Sequence, residues 1–402
     1  MKSIKKILAM LSITTLAFSF TACGGGTSTP NAGATAENTS AAGDSLKVHI
    51  DVEVASMDPQ VAVDGTSFEV LAAVTEGLYS LDADGSAIPA MADKVEKSED
   101  GLTYTVTLKD AKWSNGTPVT ANDFVFAWRR LVDPKTASEY AFMGGIAGLK
   151  NADDISAGKV SPDQLGVTAK DDKTLVIELD TPVPFFESLM AFPSFFPVNE
   201  EFYNKCGDKF ATTVDTILCN GAFKVTSYEP AATTINLEKN ADYWDADKVQ
   251  LSGIQYQVIK DSQQAMLAYQ NGDLDVATLS GEQVEQFQAD PEFQSIMAGY
   301  LWYISPNLKT PGLENENLRK ALALSYDKDA IVNNILKDGS IKADFAVPTL
   351  LATGPDGKDF RDGTDTYLST DKTKALEYYD KAKAELGKDS FSYTMIVEDT
   401  ES

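Results

Sequence analysis

KWSNGTPVTANDFVFAWRRLVDP, residues 112–134, holds a strand end, a turn and an amphipathic helix in one stretch. Just before it, Tyr104, Val106 and Leu108 alternate with polar residues, the two-residue period of a strand. Asn115-Gly116 is a tight-turn dipeptide, because both residues tolerate positive φ. Thr120 offers an N-cap hydroxyl, and Asp123, three residues on, a carboxylate suited to a helix N-terminus. Phe124, Val125, Trp128, Leu131 and Val132 then give an apolar helix face that must pack on something. Asp133-Pro134 stops the helix. Taken alone, the stretch specifies a strand–turn–helix unit and no chemistry.

Composition narrows the rest. A chain of 402 residues exceeds one ordinary core, so two or three domains are expected. With 34 Lys+Arg against 60 Asp+Glu the net charge is −26, which disfavours nucleic acid, whose phosphates need cations. It also disfavours an electrostatic grip on anionic lipid. The single histidine, His49, removes most zinc and Ser-His-Asp chemistry. It lies in the alternating run Leu46–Val52 and reads as a strand residue. Asp82-Ala83-Asp84-Gly85 lacks the further carboxylates of a calcium loop and reads as a hairpin turn.

The N-terminus reads as an export signal. Lys2, Lys5 and Lys6 precede an apolar run, Ile7–Ala22, that is short for a membrane span of about 20 residues. Residues 23–45 are Gly, Ser, Thr, Ala and Asn with almost no large apolar groups, and read as a flexible tether.

Beyond it, 46–54 reads as a strand, a helix is expected around 68–74, and further strands at 102–108, 174–179 and 254–259. Helices are expected at 265–269, 316–326, 330–337 and 374–386, the last started by Asp371 and ended by Gly387. The alternating Phe391, Tyr393, Met395 and Val397 read as a strand. Cys206 and Cys219 either close a short disulfide loop, typically worth about 3 kcal/mol, or stay as thiols.

The wording of 112–134, of Asn220-Gly221-Ala222-Phe223, of Asn240-Ala241-Asp242-Tyr243-Trp244 and of 316–331 resembles the solute-binding proteins of oligopeptide ABC transporters. This is solute-binding protein family 5, which includes dipeptide, oligopeptide and nickel binders. The resemblance runs from about Val48 onward and implies a strand at Asp273-Leu274-Asp275-Val276. It implies an α/β, two-lobed periplasmic-binding-protein-like II fold with an extra domain, incomplete at the C-terminus. On that pattern residues 1–22 are a lipoprotein signal peptide and 23–45 the tether. Residues 46–75 and 199–300 form lobe I, 76–198 the extra domain, and 301–402 part of lobe II. Phe20-Thr21-Ala22-Cys23 resembles a lipobox with Phe in place of the usual Leu, making Cys23 the lipidation site. The resemblance places Val63, Asp64 and Gly65 where the family pairs its main chain with a peptide. It carries Tyr140, Thr278, Ser280, Trp302 and Tyr303 over as cleft-lining residues.

The implied function is capture of extracellular oligopeptides and their delivery to an ABC permease, with no bond made or broken and no cofactor. The partners are the peptide and the permease subunits, the membrane being reached through the lipid anchor only. A monomer on the outer face of the cell membrane is expected, or in the periplasm of a Gram-negative cell. Because members of the family run further, the chain by itself is expected to be poorly soluble or partly unfolded, with open sheet edges. Alternatives are a binder of another solute, such as a dipeptide, nickel complex or oligosaccharide, and a peptide-sensing lipoprotein. A secreted hydrolase is a third, disfavoured by the lack of a spare histidine or nucleophile motif, although carboxylate pairs are common enough for glycosidase chemistry.

Overall fold

The computed structural model describes residues 45–82, 85–354, 356–364 and 366–397. The export segment, Cys23, most of the tether and the tip of the 82–85 turn lie outside them. The chain divides into two compact units, one ending at Thr278 and the other beginning at Leu279, whereas the sequence reading places the lobe boundary at 300/301.

The first unit opens with β1 (Ser45–Ile50) and α1 (Gly65–Val74), then β2 (Tyr79–Leu81), β3 (Ala87–Pro89), β4 (Ala92–Lys97), β5 (Thr103–Leu108) and α2 (Ala121–Val132). Short helices α3 (Met143–Ile146) and α4 (Ala152–Ser156) lead to the hairpin of β6 (Val167–Asp171) and β7 (Thr174–Glu178). Next come α5 (Phe186–Leu189), α6 (Glu200–Cys206), β8 (Phe223–Ser227), β9 (Thr234–Lys239), β10 (Gly253–Val258) and α7 (Ser262–Gln270). Two four-stranded sheets result, ordered β1-β10-β9-β8 and β4-β5-β7-β6, plus the β2-β3 hairpin. Among the strands of the described residues, β1 and β10 alone pair in parallel.

The opening stretch folds as its residues dictate. Gly116 takes φ +85° at the turn, and Trp113 N–H donates to Thr117 O. Thr120 N–H donates to the Asp123 carboxylate at 2.8 Å, which satisfies a donor at the start of α2. Asp123 also receives Trp113 Nε1–H at 3.0 Å. Burial pushes its carboxyl up to about 6, against the lowering effect of these donors. Phe124, Trp128 and Leu131 are fully buried, α2 lies on β6 and β7, and Trp128 Nε1–H donates to Phe195 O at 2.8 Å.

Two hydrophobic cores divide the unit. One gathers residues between Leu78 and Val198 around Trp113, Trp128 and Tyr104. The other gathers Val48–Val74 with Ala211–Tyr256. The motifs at 220–223 and 240–244 meet at Glu76, in the link from one core to the other. Its carboxylate accepts Tyr243 O–H and Trp244 Nε1–H, both at 2.6 Å, and the Asn220 amide pairs with its N–H and C=O. Burial raises the Glu76 carboxyl above its ordinary range despite those two donors. Lys109 Nζ lies 3.5 Å from the Trp244 ring centre. A Cβ on Gly77 would stand 2.8 Å from Met190 O, and one on Gly221 would stand 2.7 Å from the Val74 carbonyl carbon, so both positions need glycine. These motifs are a structural joint.

The second unit holds α8 (Gly281–Phe287), α9 (Glu316–Ser325), α10 (Lys328–Ala330) and α11 (Lys372–Leu386). Asn315 caps α9 and Asp371 caps α11, each accepting from the backbone N–H three residues on. Gly387 ends α11 at φ 62°. α9 and α11 pack on each other, burying Leu313, Leu318 and Ala382.

Several expectations are corrected. β1 ends at Ile50, because its partner β10 ends at Val258 and Ile259 N–H closes the ladder on Ile50 O. α1 starts at Gly65, ahead of the expected Phe68, because Asp64 caps it. Residues 273–276 make a single bridge, Val48 to Val276. The helix expected at 330–337 is a wide-turn segment, Ile331–Leu336, ended by Lys337 in the left-handed region. Residues 391–397 form no strand, and no ladder partner exists for them among the described residues. Cys206 and Cys219 are free thiols rather than a disulfide. Cys219 is buried in the second core, and its backbone pairs with Ser114, while Cys206 ends α6 at a half-buried position.

Candidate functional site

Between β1 and α1 the chain crosses residues 51–64 without joining a sheet, so side chains must set its path. Asp58 accepts from Arg130 of α2 through both oxygens, Nη2 at 2.7 Å and Nη1 at 3.3 Å. Arg130 Nη1 also donates to Gln60 Oε1 at 2.8 Å, and Gln60 Nε2 donates to Ser194 O at 3.2 Å and Phe196 O at 3.1 Å. Asp58, Gln60, Arg130 and Ser194 are all buried, and the guanidinium lies 4.2 Å from the Tyr203 ring centre.

Downstream, Asp64 caps α1. It accepts Ser67 N–H and Ser67 Oγ–H, each at 2.7 Å. The Ser67 hydroxyl in turn accepts Ala55 N–H at 3.1 Å and Ser56 N–H at 3.2 Å. Between the two fixed ends Val61 and Val63 are 41% and 40% exposed. No backbone hydrogen bond among the described residues engages Val63. Its N–H and C=O thus have no backbone partner among the described residues, although the chain is held on both sides.

Tyr140 is half-buried in an aromatic group. Its ring centre is 5.6 Å from Phe68 on α1, 5.2 Å from Phe192 and 5.6 Å from Phe142, which is half-exposed. Thr278 N–H donates to His49 Nδ1 at 3.3 Å, and His49 Nε2 faces Ile259 O at 2.7 Å. The two ring nitrogens of this buried histidine thus join β1 to Thr278 and Ile259.

The other expected residues lie in the second unit. Ser280 starts α8, its N–H bonded to the Gln283 side chain at 2.9 Å. Trp302 and Tyr303 are 86% and 77% exposed on a stretch without regular structure. Within the first unit the structure brings Val63, Asp64 and Gly65 together around the start of α1, with Tyr140 reaching the same helix through Phe68.

Sequence reasoning missed Phe68, Phe142 and Phe192, which come from separate elements and share no spacing. It also missed Arg130, Gln60 and Ser67. The one available signal was Arg130 itself, a cation in the last turn of an apolar helix that needs a buried partner or solvent.

Comparison with known proteins sorts these features. Residues 86–402 match the model of the bacterial extracellular solute-binding proteins, family 5. The chain belongs to that family. It is 37% identical to the oligopeptide-binding protein OppA of Bacillus subtilis over 396 residues, covering 96% of this chain and 70% of that protein. The dipeptide-binding protein DppE of the same organism is 33% identical, with the same shares covered. Among solved structures, Listeria monocytogenes OppA bound to peptide superposes with a TM-score of 0.79 at 35% identity, covering 87% of this chain and 70% of that one. The fold is thus the α/β, periplasmic-binding-protein-like II fold of these family 5 proteins. The family's business is binding solutes outside the cell. Among the described residues, no helix is long and apolar enough to cross a membrane.

Proposed function

We propose that this family 5 protein captures oligopeptides outside the cytoplasm and hands them to an ABC permease, held at the membrane by a lipid on Cys23. The carrying observation is the exposed residue Val63, whose main chain has no backbone partner among the described residues and is pinned on both sides, in a chain 37% identical to an oligopeptide-binding protein. A peptide of arbitrary sequence has one constant feature, its backbone. A protein that must accept many sequences does best to pair with that backbone as an added strand. Val63, Asp64 and Gly65 supply such an edge, while Tyr140, Trp302 and Tyr303 offer aromatic surface that accepts varied side chains without demanding one polar pattern. Thr278 and Ser280 add small polar groups. Residues 46–75 and 199–300 then serve as lobe I, 76–198 as the extra domain and the stretch from 301 as part of lobe II. Closure follows from the ligand's extra affinity for the closed state. The chemistry is binding only, in a monomer.

Tryptophan fluorescence titrated with mixed di- to hexapeptides tests this. The expected result is a saturable change with every peptide recovered intact by mass spectrometry. Cleaved products, or no saturation with any peptide, contradict it. DppE at 33% identity supports a second reading, a preference for dipeptides, which the same titration resolves by length. For the anchor, Cys23→Ser is expected to release the protein from membranes into the medium.

A further inference from the structure

The ligand-pairing edge proposed above has no sheet of its own to hold it. Its backbone makes only local bonds, with Val61 N–H and Ala62 N–H both donating to Asp58 O. Whatever fixes Asp58 and Gln60 therefore fixes the edge. That fixture is Arg130, which stands on α2 and so belongs to the other core of the unit. We propose that Arg130, acting through Asp58 and Gln60, is the positioning residue that sets the geometry of Val61–Gly65 for peptide main-chain pairing, with Ser67 as the second pin. The inference rests on the reading of Val63–Gly65 as the ligand edge.

Three features point to positioning over simple cohesion. First, the contact is directional. A planar guanidinium grips both Asp58 oxygens and the Gln60 carbonyl at once, so it defines an orientation as well as a distance. Gln60 then carries that orientation to the 194–196 backbone, so the loop is fixed in two directions. Second, a buried ion pair is a poor way to gain stability, since well-packed apolar residues of like volume usually do as well. Its presence beside the exposed Val63, whose main chain has no backbone partner among the described residues, has a use if the edge must already be in shape when a ligand arrives, because pre-ordering removes a cost of binding. Third, the far end is pinned separately. Ser67 Oγ ties Asp64 to the Ala55 and Ser56 amides, so the loop is pinned at a second point, and between the pins Val61 and Val63 are exposed while Ala62 is buried. A domain whose one expected ligand contact is Tyr140 thereby acts on the ligand through the loop it holds.

The test is the double variant Asp58→Leu, Arg130→Met, which removes both charges at similar volume. The probe is penta-alanine, whose recognition rests on its backbone. The expected result is a cooperative melt and native near-UV circular dichroism, with penta-alanine bound at least tenfold more weakly than by the unaltered protein. Hydrogen exchange at the Val61 and Ala62 amides is expected to accelerate. Arg130→Lys, which keeps the charge and loses the fork, is expected to fall between the two. A folded double variant that binds penta-alanine within twofold of the unaltered protein overturns the inference. Should the double variant not fold, Ser67→Ala decides by the same two readouts, with a several-fold loss expected and unchanged affinity overturning the proposal. An unaltered protein that binds neither penta-alanine nor mixed peptides overturns the function reading itself.

Discussion

The two compact units are built from the same kinds of segment and end in different states. In the first, both sheets are covered and two cores bury tryptophans, phenylalanines and tyrosines completely. In the second, the buried apolar residues among those described are Leu313, Leu318, Ala321, Leu324, Ala375 and Ala382, none of them aromatic, and Trp302, Tyr303, Ile304, Ile396 and Val397 are exposed. The helices nonetheless form in both. A helix satisfies its hydrogen bonds within its own residues and needs only caps at its ends, which Asn315, Asp371 and Gly387 supply. A strand satisfies nothing alone. The apolar stretches 294–304 and 391–397 have strand composition and find no ladder among the described residues. The chain spans about 70% of the length of the Bacillus subtilis and Listeria monocytogenes OppA relatives, and its described secondary structure is regular where it is local.

That contrast yields graded predictions. The largest concerns tryptophans. Trp128→Ala, in the first unit's core, is expected to cost about 3–5 kcal/mol in urea unfolding. Trp302→Ala is expected to stay within about 0.5 kcal/mol. Equal costs would mean that Trp302 is packed and the second unit has a real core. Of comparable size, Arg130→Met alone is expected to destabilise the first unit by about 3–5 kcal/mol, because it strands the Asp58 carboxylate in a buried site. The double variant with Asp58→Leu is expected to recover most of that loss. No recovery would show that the ion pair itself holds the two cores together.

A smaller effect follows from Glu69 on α1. Burial pushes its carboxyl up to about 7, from an ordinary 4.5. Between those two values the folded protein holds a proton that the unfolded chain has released. Stability of the first unit therefore falls as pH rises through that window, and the loss is complete above pH 7. Glu69→Gln is expected to gain about 1–2 kcal/mol over the unaltered protein at pH 8 and nothing at pH 4.5, solvent screening taking part of the full value. A gain that is the same at both pH values would trace the effect to packing. Smallest, Asp371→Ala is expected to cost about 1 kcal/mol of α11 stability, read from far-UV circular dichroism during thermal unfolding. A larger loss of helix signal would show that the second unit leans on its caps more than on packing.

How much was legible beforehand follows the same division. The helix at 121–132 could be read because its stop, its turn and its apolar face all sit within 23 consecutive letters. The helix ended by Gly387 could be read for the same reason. The strand at 391–397 was misread because alternation states a preference, while a ladder needs a neighbour that no local pattern supplies. The wide-turn segment at 331–336 was misread as an ordinary helix, since its apolar spacing does not distinguish the two. Around the site, Asp64, which the resemblance offers for main-chain pairing, is also a helix cap. Arg130 read as part of the helix and is the support of a loop 70 residues earlier. Long-range polar networks of this kind leave no periodic trace, so the residues that shape the site were less legible than those resembling known contacts.

The central claim is that this protein recognises a peptide by its repeating amides. The most direct measurement compares calorimetric affinities for a hexapeptide, several scrambled sequences of it, and copies N-methylated at single backbone positions. Main-chain recognition predicts scrambles within about tenfold of one another, and at least one N-methyl copy weaker by a factor of ten or more, the loss of a hydrogen bond in a closed site. Scrambles that differ by a thousandfold while every N-methyl copy binds undiminished would contradict it.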